Sequence, residues 1–434
     1  MTIVPVLAHG VGGRTDLPLP VWLVAYGAAF ALLISFVALR ILWPSPRLAG
    51  AAGGTSLPAG GRGAATAVHV LMRAIGLATF VVLLVACWWG ADDPGTNIAP
   101  YALYIWFWVG LMFASGLLGD LYASLNPFDT IAALLRVPEH TARRDPGQWP
   151  AAVSLFSFAW MELAYHGGAS PRSIGWWLSI YTLAALAGGM LWGRAWLRQG
   201  EGFAALFGLL GQLAPVGRDP ATGRLRVRPP LAGLAVMPLQ RGTAAVVITA
   251  LGTTTFDGVT RTRTWIDFLG SRRGWDATIV KTLAMLWVIA IVAVLYLGAI
   301  RVAARITGDD PAELADRFVP SLIPIVLAYA IAHYFSLLVL DGQNVFALIS
   351  DPFGKGWDLF GTIERTVDYR LVSTRTIAYV QAGSIVAGHV LGVVTAHDRA
   401  VELYEPRVAV RSQYPLLAVM IVYTVGGLLL LLGT

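Results

Sequence analysis

The amino-acid sequence predicts an all-α fold, a polytopic transmembrane helix bundle of about ten spans. Of the 434 residues, 56% are apolar and only 13% are charged, whereas about 25% are charged in an ordinary soluble domain. The apolar residues form runs that recur along the whole chain, and most runs approach the ~20 residues needed to cross the hydrocarbon core. Such runs form helices in lipid, because their backbone polar groups must be satisfied internally. We therefore expect 1–434 to form a single integral membrane domain whose main partner is the lipid bilayer.

Five apolar runs occupy the first half of the chain. The runs 20–43, 68–90, 99–118 and 174–193 are long enough for full spans. The run 151–165 is shorter, and it predicts a span near the lower limit of length.

Five further runs follow in the second half. The runs 278–300, 319–340, 376–396 and 415–432 again predict full spans. The run 242–256 is short, so it either crosses fully, which we favour, or re-enters from one side. If it re-enters, the sidedness of the chain after residue 258 is reversed.

The arginines predict the orientation. The segment 194–241 carries seven arginines against Glu201 and Asp219, which is typical of a basic cytoplasmic connector. It joins two possible halves, 1–200 and 240–434. The pattern indicates a multi-pass protein of the cytoplasmic membrane. The net charge of +6 does not indicate nucleic-acid binding, because most arginines lie in short loops between apolar runs.

Two segments complicate this topology. The segment 202–213 is moderately amphipathic, and we expect it to lie along the cytoplasmic interface. The loop 260–275 falls outside by the count of spans, yet it carries Arg261, Arg263, Arg272 and Arg273. Either the run 242–256 re-enters, or these arginines are buried in protein.

Several classes of protein are disfavoured by missing motifs. Cys87 is the only cysteine, so a metal site would have to use imidazole, carboxylate, carbonyl or water ligands. The sequence has no phosphate-binding P-loop, no His-Glu-x-x-His zinc motif and no nucleophile elbow in a strand context, which argues against a primary pump, a zincin protease and a serine hydrolase. The segment 1–13 has no lysine or arginine and is not typical of a cleaved signal peptide.

Ionisable residues inside apolar runs indicate a functional site, because charge is costly in hydrocarbon. His333 and His389 lie deep in their runs and could meet across a helix pair. Asp341 and His397 follow them at the run ends, where the helix dipole is a sufficient explanation of His397.

Carboxylates near the ends of runs extend the candidate site. Asp257 follows the run 242–256, and Asp351 and Asp358 lie in the glycine-rich segment 350–358. Glu162 precedes His166 by four residues, which would place both on one helix face.

Three kinds of site fit these residues. In the first, His333, His389, Asp341 and Asp257 bind a divalent transition metal, and Asp257, Asp351 and Asp358 carry the chemistry of a metal-assisted hydrolase. In the second, the same groups relay protons or bind a cation in a permease or ion-coupled transporter. In the third, His333 and His389 are axial ligands of a haem. A non-catalytic membrane subunit of a larger complex is a further alternative.

Several phrases resemble a family of bacterial, largely actinobacterial, multispan membrane proteins. They are Ala8-His9-Gly10-Val11-Gly12-Gly13-Arg14, Gly119-Asp120-Leu121, Phe158-Ala159-Trp160-Met161-Glu162-Leu163, Phe256-Asp257-Gly258, Ser350-Asp351-Pro352-Phe353-Gly354, Gly356-Trp357-Asp358 and the stretch from Gly388-His389 to His397-Asp398. Members are often labelled fenitrothion hydrolase, so the resemblance implies hydrolysis of an organophosphate ester. It implies no particular active-site residues.

Overall fold

The protein is built from long helices that run back and forth between two ends of a bundle. The computed structural model describes residues 20–57, 62–219 and 223–432; the expectation about the segment 1–13 lies outside the described residues. Eight helices in the described ranges are long and apolar enough to cross a membrane. They are Val21–Leu42, Thr66–Trp89, Tyr101–Leu118, Pro171–Trp192, Gly274–Thr307, Pro311–Val339, Thr374–Leu403 and Pro406–Leu432. The predicted all-α transmembrane bundle is confirmed.

The first part of the chain forms ten α-helices and one short strand. They are α1 Val21–Leu42, α2 Leu48–Ala51, β1 Thr55–Ser56, α3 Arg62–Trp89, α4 Leu111–Leu118, α5 Tyr122–Leu125, α6 Pro127–Leu134, α7 Trp149–Ala159, α8 Pro171–Trp192, α9 Arg194–Leu197 and α10 Gly202–Leu210. A long π segment, Tyr101–Gly110, leads into α4, and a short π segment, Trp160–Ala164, continues α7. Such π-helical turns are rare in proteins and often occur at functional sites.

The second part adds the remaining strands and helices. They are β2 Val216–Arg218, β3 Leu225–Val227, α11 Ala232–Val236, α12 Thr243–Thr260, α13 Arg263–Leu269, α14 Gly274–Thr307, α15 Pro311–Phe318, α16 Ile323–Val339, α17 Asn344–Leu348, α18 Thr374–Leu403 and α19 Pro406–Leu432. Two 3₁₀ turns, Val319–Leu322 and Asp341–Gln343, flank α16.

The two ends of the bundle carry different structures. At the sheet end, the strands form an antiparallel sheet in the order β1-β3-β2, with Thr55 and Val216 both opposite Val227. Gly119, where α4 ends, adopts φ +98, and a Cβ there would lie 2.7 Å from the carbonyl oxygen of Val216, so this close approach favours glycine. At the other end, which we call the loop end, the turn after α3 meets the segment that follows α17: the backbone of Ala91 donates a hydrogen bond to the carbonyl of Phe353 at 2.8 Å.

Two helices match the short runs 151–165 and 242–256. The α12 helix is unbroken over 18 residues, which corresponds to ~27 Å at 1.5 Å per residue. At its start, the Thr243 hydroxyl donates to Gln148 Oε1, just before α7, at 2.9 Å. The short π segment after α7 reaches α14, where Trp160 Nε1 donates to Thr282 Oγ1 at 2.8 Å. Neither α12 nor α7 is among the eight helices that are long and apolar enough to cross a membrane, so the full span that the sequence favours for 242–256 stays a prediction.

The α10 helix is where the sequence expectation for 202–213 was wrong. All of its residues except Gly208 are buried, and it contacts α4, α5, α7, α12 and α16. It therefore lies inside the bundle and not along an interface. Glu201 caps its first turn and accepts hydrogen bonds from the backbone of Phe203 at 3.0 Å and of Ala204 at 2.9 Å. The hydroxyl of Tyr181, on α8, also donates to this carboxyl group.

Candidate functional site

Asp257 and His333 meet in the interior of the bundle. Asp257 lies in the last turn of α12, and His333 lies in the second half of α16. His333 Nε2 is 2.7 Å from Asp257 Oδ2, and the two side chains are 0% and 1% exposed. A hydrogen bond to a carboxylate is strong in such a low-dielectric environment. The structure thus brings together two of the predicted site residues, from two different helices.

Two tyrosines enclose the imidazole of His333. The Tyr334 ring meets it edge-on, with ring centroids 4.7 Å apart and planes at 85°. The Tyr329 ring, one helical turn earlier, is nearly parallel to it at 6.1 Å. Both tyrosines are 2% exposed. This apolar enclosure excludes water, so removing either partner would leave the other buried without its counterpart.

Three further charged residues surround the pair. Glu162, in the short π segment, interacts electrostatically with Asp257 and with Arg261, which follows α12. Lys281, in α14, also interacts with Asp257. The pair therefore shares its surroundings with one further carboxyl group and two basic side chains. A proton added to the pair raises the net charge of this cluster by one unit.

Arg261 presents open hydrogen-bond donors inside the protein. Its Nε and Nη2 atoms are buried and have no hydrogen-bond partner among the described residues, and the same holds for the hydroxyl of Tyr329. The two side chains interact electrostatically. A Cβ on Gly258 would lie 2.8 Å from that hydroxyl, so the glycine leaves room for it. Unpaired buried donors cost ~1–3 kcal/mol each, which favours an acceptor from a solute or a water molecule here.

His389 lies beside this cluster and has a different environment. Its Nδ1 is 2.8 Å from the carbonyl oxygen of Ile385, one turn earlier in α18. Its Nε2 has no hydrogen-bond partner in the part of the chain that the structure describes. The imidazole faces Tyr423 at 6.1 Å, and Tyr423 in turn lies 6.4 Å from Tyr329. A row of two tyrosine rings therefore links His389 to the ring stacked on His333.

The three other predicted carboxylates lie at the loop end and shape the backbone there. Asp351 accepts hydrogen bonds from the backbone of Lys355 at 2.9 Å and of Gly356 at 2.6 Å. Asp358 likewise accepts from two backbone N–H groups, at 2.9 and 3.2 Å. Asp341 begins the 3₁₀ turn after α16, and burial raises the pKa of its carboxyl group from 3.8 to about 6. The structure does not place these three with the Asp257–His333 pair.

The predicted four-ligand metal set is not assembled. Across residues 20–57, 62–219 and 223–432, no group of three or more His, Cys, Asp or Glu side chains could hold a metal ion. His333 and Asp257 form the pair, His389 contacts Tyr423, and Asp341 lies in the 3₁₀ turn at the loop end. The physical reason is that similar depth along neighbouring helices does not bring side chains onto facing surfaces.

Two smaller expectations are also corrected. α18 continues to Leu403, so His397 is not at a helix end; its ring nitrogens lie 3.1 Å from Gln413 Oε1 and from the carbonyl oxygen of Trp43. The short π segment ends at Ala164, so His166 does not share a helix face with Glu162. Its Nδ1 instead lies 3.1 Å from the hydroxyl of Thr278.

Arg261 and Lys281 are site residues that sequence reasoning missed. Each left a signal. Lys281 lies within an apolar run, where a charged side chain is costly, and Arg261 belongs to the loop that contradicted the distribution of positive charge. Arg261 is partly buried, whereas Arg263, Arg272 and Arg273 are exposed. Burial in protein therefore accounts for one of the four arginines.

Comparisons with known proteins leave the site to be interpreted from its own geometry. No protein-family model matches the chain, and neither a curated protein nor a solved structure matches it.

Proposed function

We propose that this multipass membrane protein is a proton-coupled transporter of a small anionic solute. The observation that carries the proposal is the fully buried Asp257–His333 pair, which joins two helices beside the open donors of Arg261. Ionisable residues that face the interior of a membrane bundle commonly form proton or ion pathways. In this proposal the pair takes up and releases the proton, and Arg261 binds the acidic group of the solute.

The charge of the cluster explains how the proton and the anion would be coupled. A proton on His333 adds one positive charge, which favours an anion at Arg261. By linkage, an anion at Arg261 equally favours the proton. The proton and the anion would therefore bind together and leave together.

Transport assays in sealed vesicles test the proposal. The purified protein is reconstituted into liposomes that contain a pH-sensitive dye, and a gradient of succinate or inorganic phosphate is imposed. We expect anion-dependent proton entry, abolished by Asp257→Asn and reduced about tenfold or more by His333→Gln, since proton relays typically contribute 10²–10⁴-fold. Arg261→Gln should raise the anion concentration needed for half-maximal flux.

His397→Gln is the matched control, because His397 is equally buried but lies near the sheet end, bonded to Gln413 and Trp43. It should retain the anion-dependent flux. Unchanged flux in Asp257→Asn would contradict the role of the pair, and the absence of proton movement with both probes would contradict the proposed solute class.

A second candidate, which stays a prediction, is hydrolysis of an organophosphate ester. The resemblance implies this reaction, and the histidines and carboxylates of the sequence predict that a metal assists it. The open Nε2 of His389 is the observation that favours it, since a neutral imidazole with its other nitrogen bonded to a carbonyl is a good metal ligand. Elemental analysis of the purified protein and of His389→Ala tests it. A stoichiometric metal that the variant loses would support the candidate, and equal metal content in both proteins would contradict it.

A further inference from the structure

A second feature of the molecule is a cavity of about 370 Å³ between α3 and the long π segment. One wall is formed by Ile75, Thr79, Phe80 and Leu83 of α3, which share one face of that helix. The opposite wall includes Trp106 of the long π segment. The volume falls within the ~300–1,000 Å³ that is usual for small-molecule sites. None of the residues of the Asp257–His333 cluster lines it.

The cavity is elongated along the helices and opens sideways. The α3 residues that line it extend over eight positions, from Ile75 to Leu83, which corresponds to ~12 Å along the axis. At its outer side Ile75 is 46% and Trp106 is 42% exposed, whereas Phe80 and Leu83, deeper in the wall, are each 8% exposed. In a membrane, exposed apolar residues on the side of a span face lipid chains. The opening therefore faces the bilayer and not the water.

The polar groups of two lining residues are engaged elsewhere. Tyr122, on α5, lines the cavity and is 1% exposed, and its hydroxyl group interacts with the Glu201 carboxyl group. Trp106 Nε1 donates to the carbonyl of Gly342 at 2.9 Å. These two side chains therefore present their ring surfaces to the cavity, which offers mainly apolar contacts.

We infer that this cavity is a lateral binding site for one acyl chain of a bilayer lipid. About a dozen water-sized volumes of ~30 Å³ fill such a space, and a methylene group is close to that size, so a chain segment of about a dozen carbons fits.

The walls select a lipid over a water-soluble ligand. The described residues that line the cavity include no charged side chain, so a soluble anion or cation would lose its hydration without compensation. A chain that enters from the bilayer keeps apolar surroundings throughout. It also gains close packing against the walls.

Photo-cross-linking in lipid nanodiscs tests the inference on the full chain. The nanodiscs contain phosphatidylglycerol with a diazirine on its acyl chain, and a diazirine-bearing alkane without an ester serves as a second probe. After irradiation, labelled peptides are identified by mass spectrometry. Label from the lipid should concentrate on the peptides that contain Ile75–Leu83 and Trp106, above the label on the exposed face of α14.

Two variants test whether the label depends on the cavity itself. Ala102→Phe places a ring in the cavity and should reduce both probes at these peptides by about tenfold, the equivalent of ~1.4 kcal/mol. Val82→Phe adds the same ring on an exposed position of α3 outside the cavity and should leave the label unchanged.

The outcomes decide between a built site and ordinary surrounding lipid. Equal label on all exposed helix faces, unaffected by Ala102→Phe, would mean surrounding lipid only and would overturn the inference. These outcomes do not depend on proton-coupled transport, because neither probe nor variant involves the Asp257–His333 cluster.

Discussion

Glu201 caps a helix that is enclosed by protein, and its replacement by glutamine tests that enclosure. The carboxyl group is 3% exposed and accepts hydrogen bonds from the backbone of Phe203 and Ala204 and from the hydroxyl of Tyr181. Burial raises its pKa from 4.5 to about 7, although these hydrogen bonds act in the opposite direction. Glutamine keeps the size and one acceptor oxygen, but it cannot ionise.

The sign and size of the effect follow from this pKa. Because the pKa is higher in the folded protein than in the unfolded chain, the folded state binds the proton more tightly. Stability is therefore greatest below about pH 4.5 and falls as the pH rises through about 7. At 1.36 kcal/mol per pKa unit, the complete difference is about 3 kcal/mol, of which about 2.5 kcal/mol arises between pH 5 and pH 8.

Thermal unfolding in detergent, measured for the native protein and for Glu201→Gln over this pH range, gives the difference directly. The variant should gain about 2.5 kcal/mol relative to the native protein between pH 5 and pH 8, a relative rise in Tm of about 3 °C or more. Subtraction removes the contribution of other carboxyl groups. Glu139→Gln, whose side chain is 45% exposed in the native protein, should show no such change. A Tm difference that is constant with pH would refute the reasoning.

Three further sets of variants test the Asp257–His333 pair and the contacts between other helices of the bundle. Asp257→Ala and His333→Ala should each cost about 3–5 kcal/mol, because each leaves a buried partner, and the double variant should cost less than their sum; additive losses in thermal unfolding would contradict a coupled pair. Gly202→Ala should cost about 1–3 kcal/mol, because its Cβ would overlap a serine hydroxyl on α7. Gly298→Ala in α14, with no atom within 4 Å of the added Cβ, should be neutral or stabilising by up to ~1 kcal/mol, so equal Tm losses in the two glycine variants would count against this packing. Asp398→Ala should destabilise the protein by about 1–3 kcal/mol, since its carboxylate accepts hydrogen bonds from Trp43, Arg47 and Leu48, which connect α1 to α2; an unchanged Tm would show that these bonds are not made.

The long helices could be predicted because apolar length is a local property of the chain. Their ends could not be predicted as well. α14 begins at Gly274 and continues to Thr307, beyond the apolar run 278–300, because a helix can carry arginines past the hydrocarbon region once its backbone bonds are made. The expectation that α10 lies along an interface was wrong for a related reason. A short apolar helix has the same composition whether it lies on an interface or is enclosed by other helices, and only contacts distant in sequence distinguish the two.

The sequence predicted which residues belong to the candidate site better than it predicted how they are arranged. Asp257 and His333 stood out because charge-bearing groups are rare in apolar runs. That they meet, while His389 turns toward Tyr423, depends on how helices rotate against one another, which no single run encodes. Glu162 and His166 are a second example. Their four-residue spacing predicts a shared helix face, but the short π segment ends between them, so they do not share one.

The enclosure of α10 has a consequence for how the chain is put together during synthesis. Its neighbours α4, α5 and α7 precede it, whereas α12 and α16 are made later. The α10 helix therefore stays partly exposed until more than a hundred further residues have left the ribosome. A gene split into fragments 1–200 and 240–434 would leave α10 out of both, so each fragment should be prone to degradation, and co-expression should rescue assembly only when one fragment is extended to include α10.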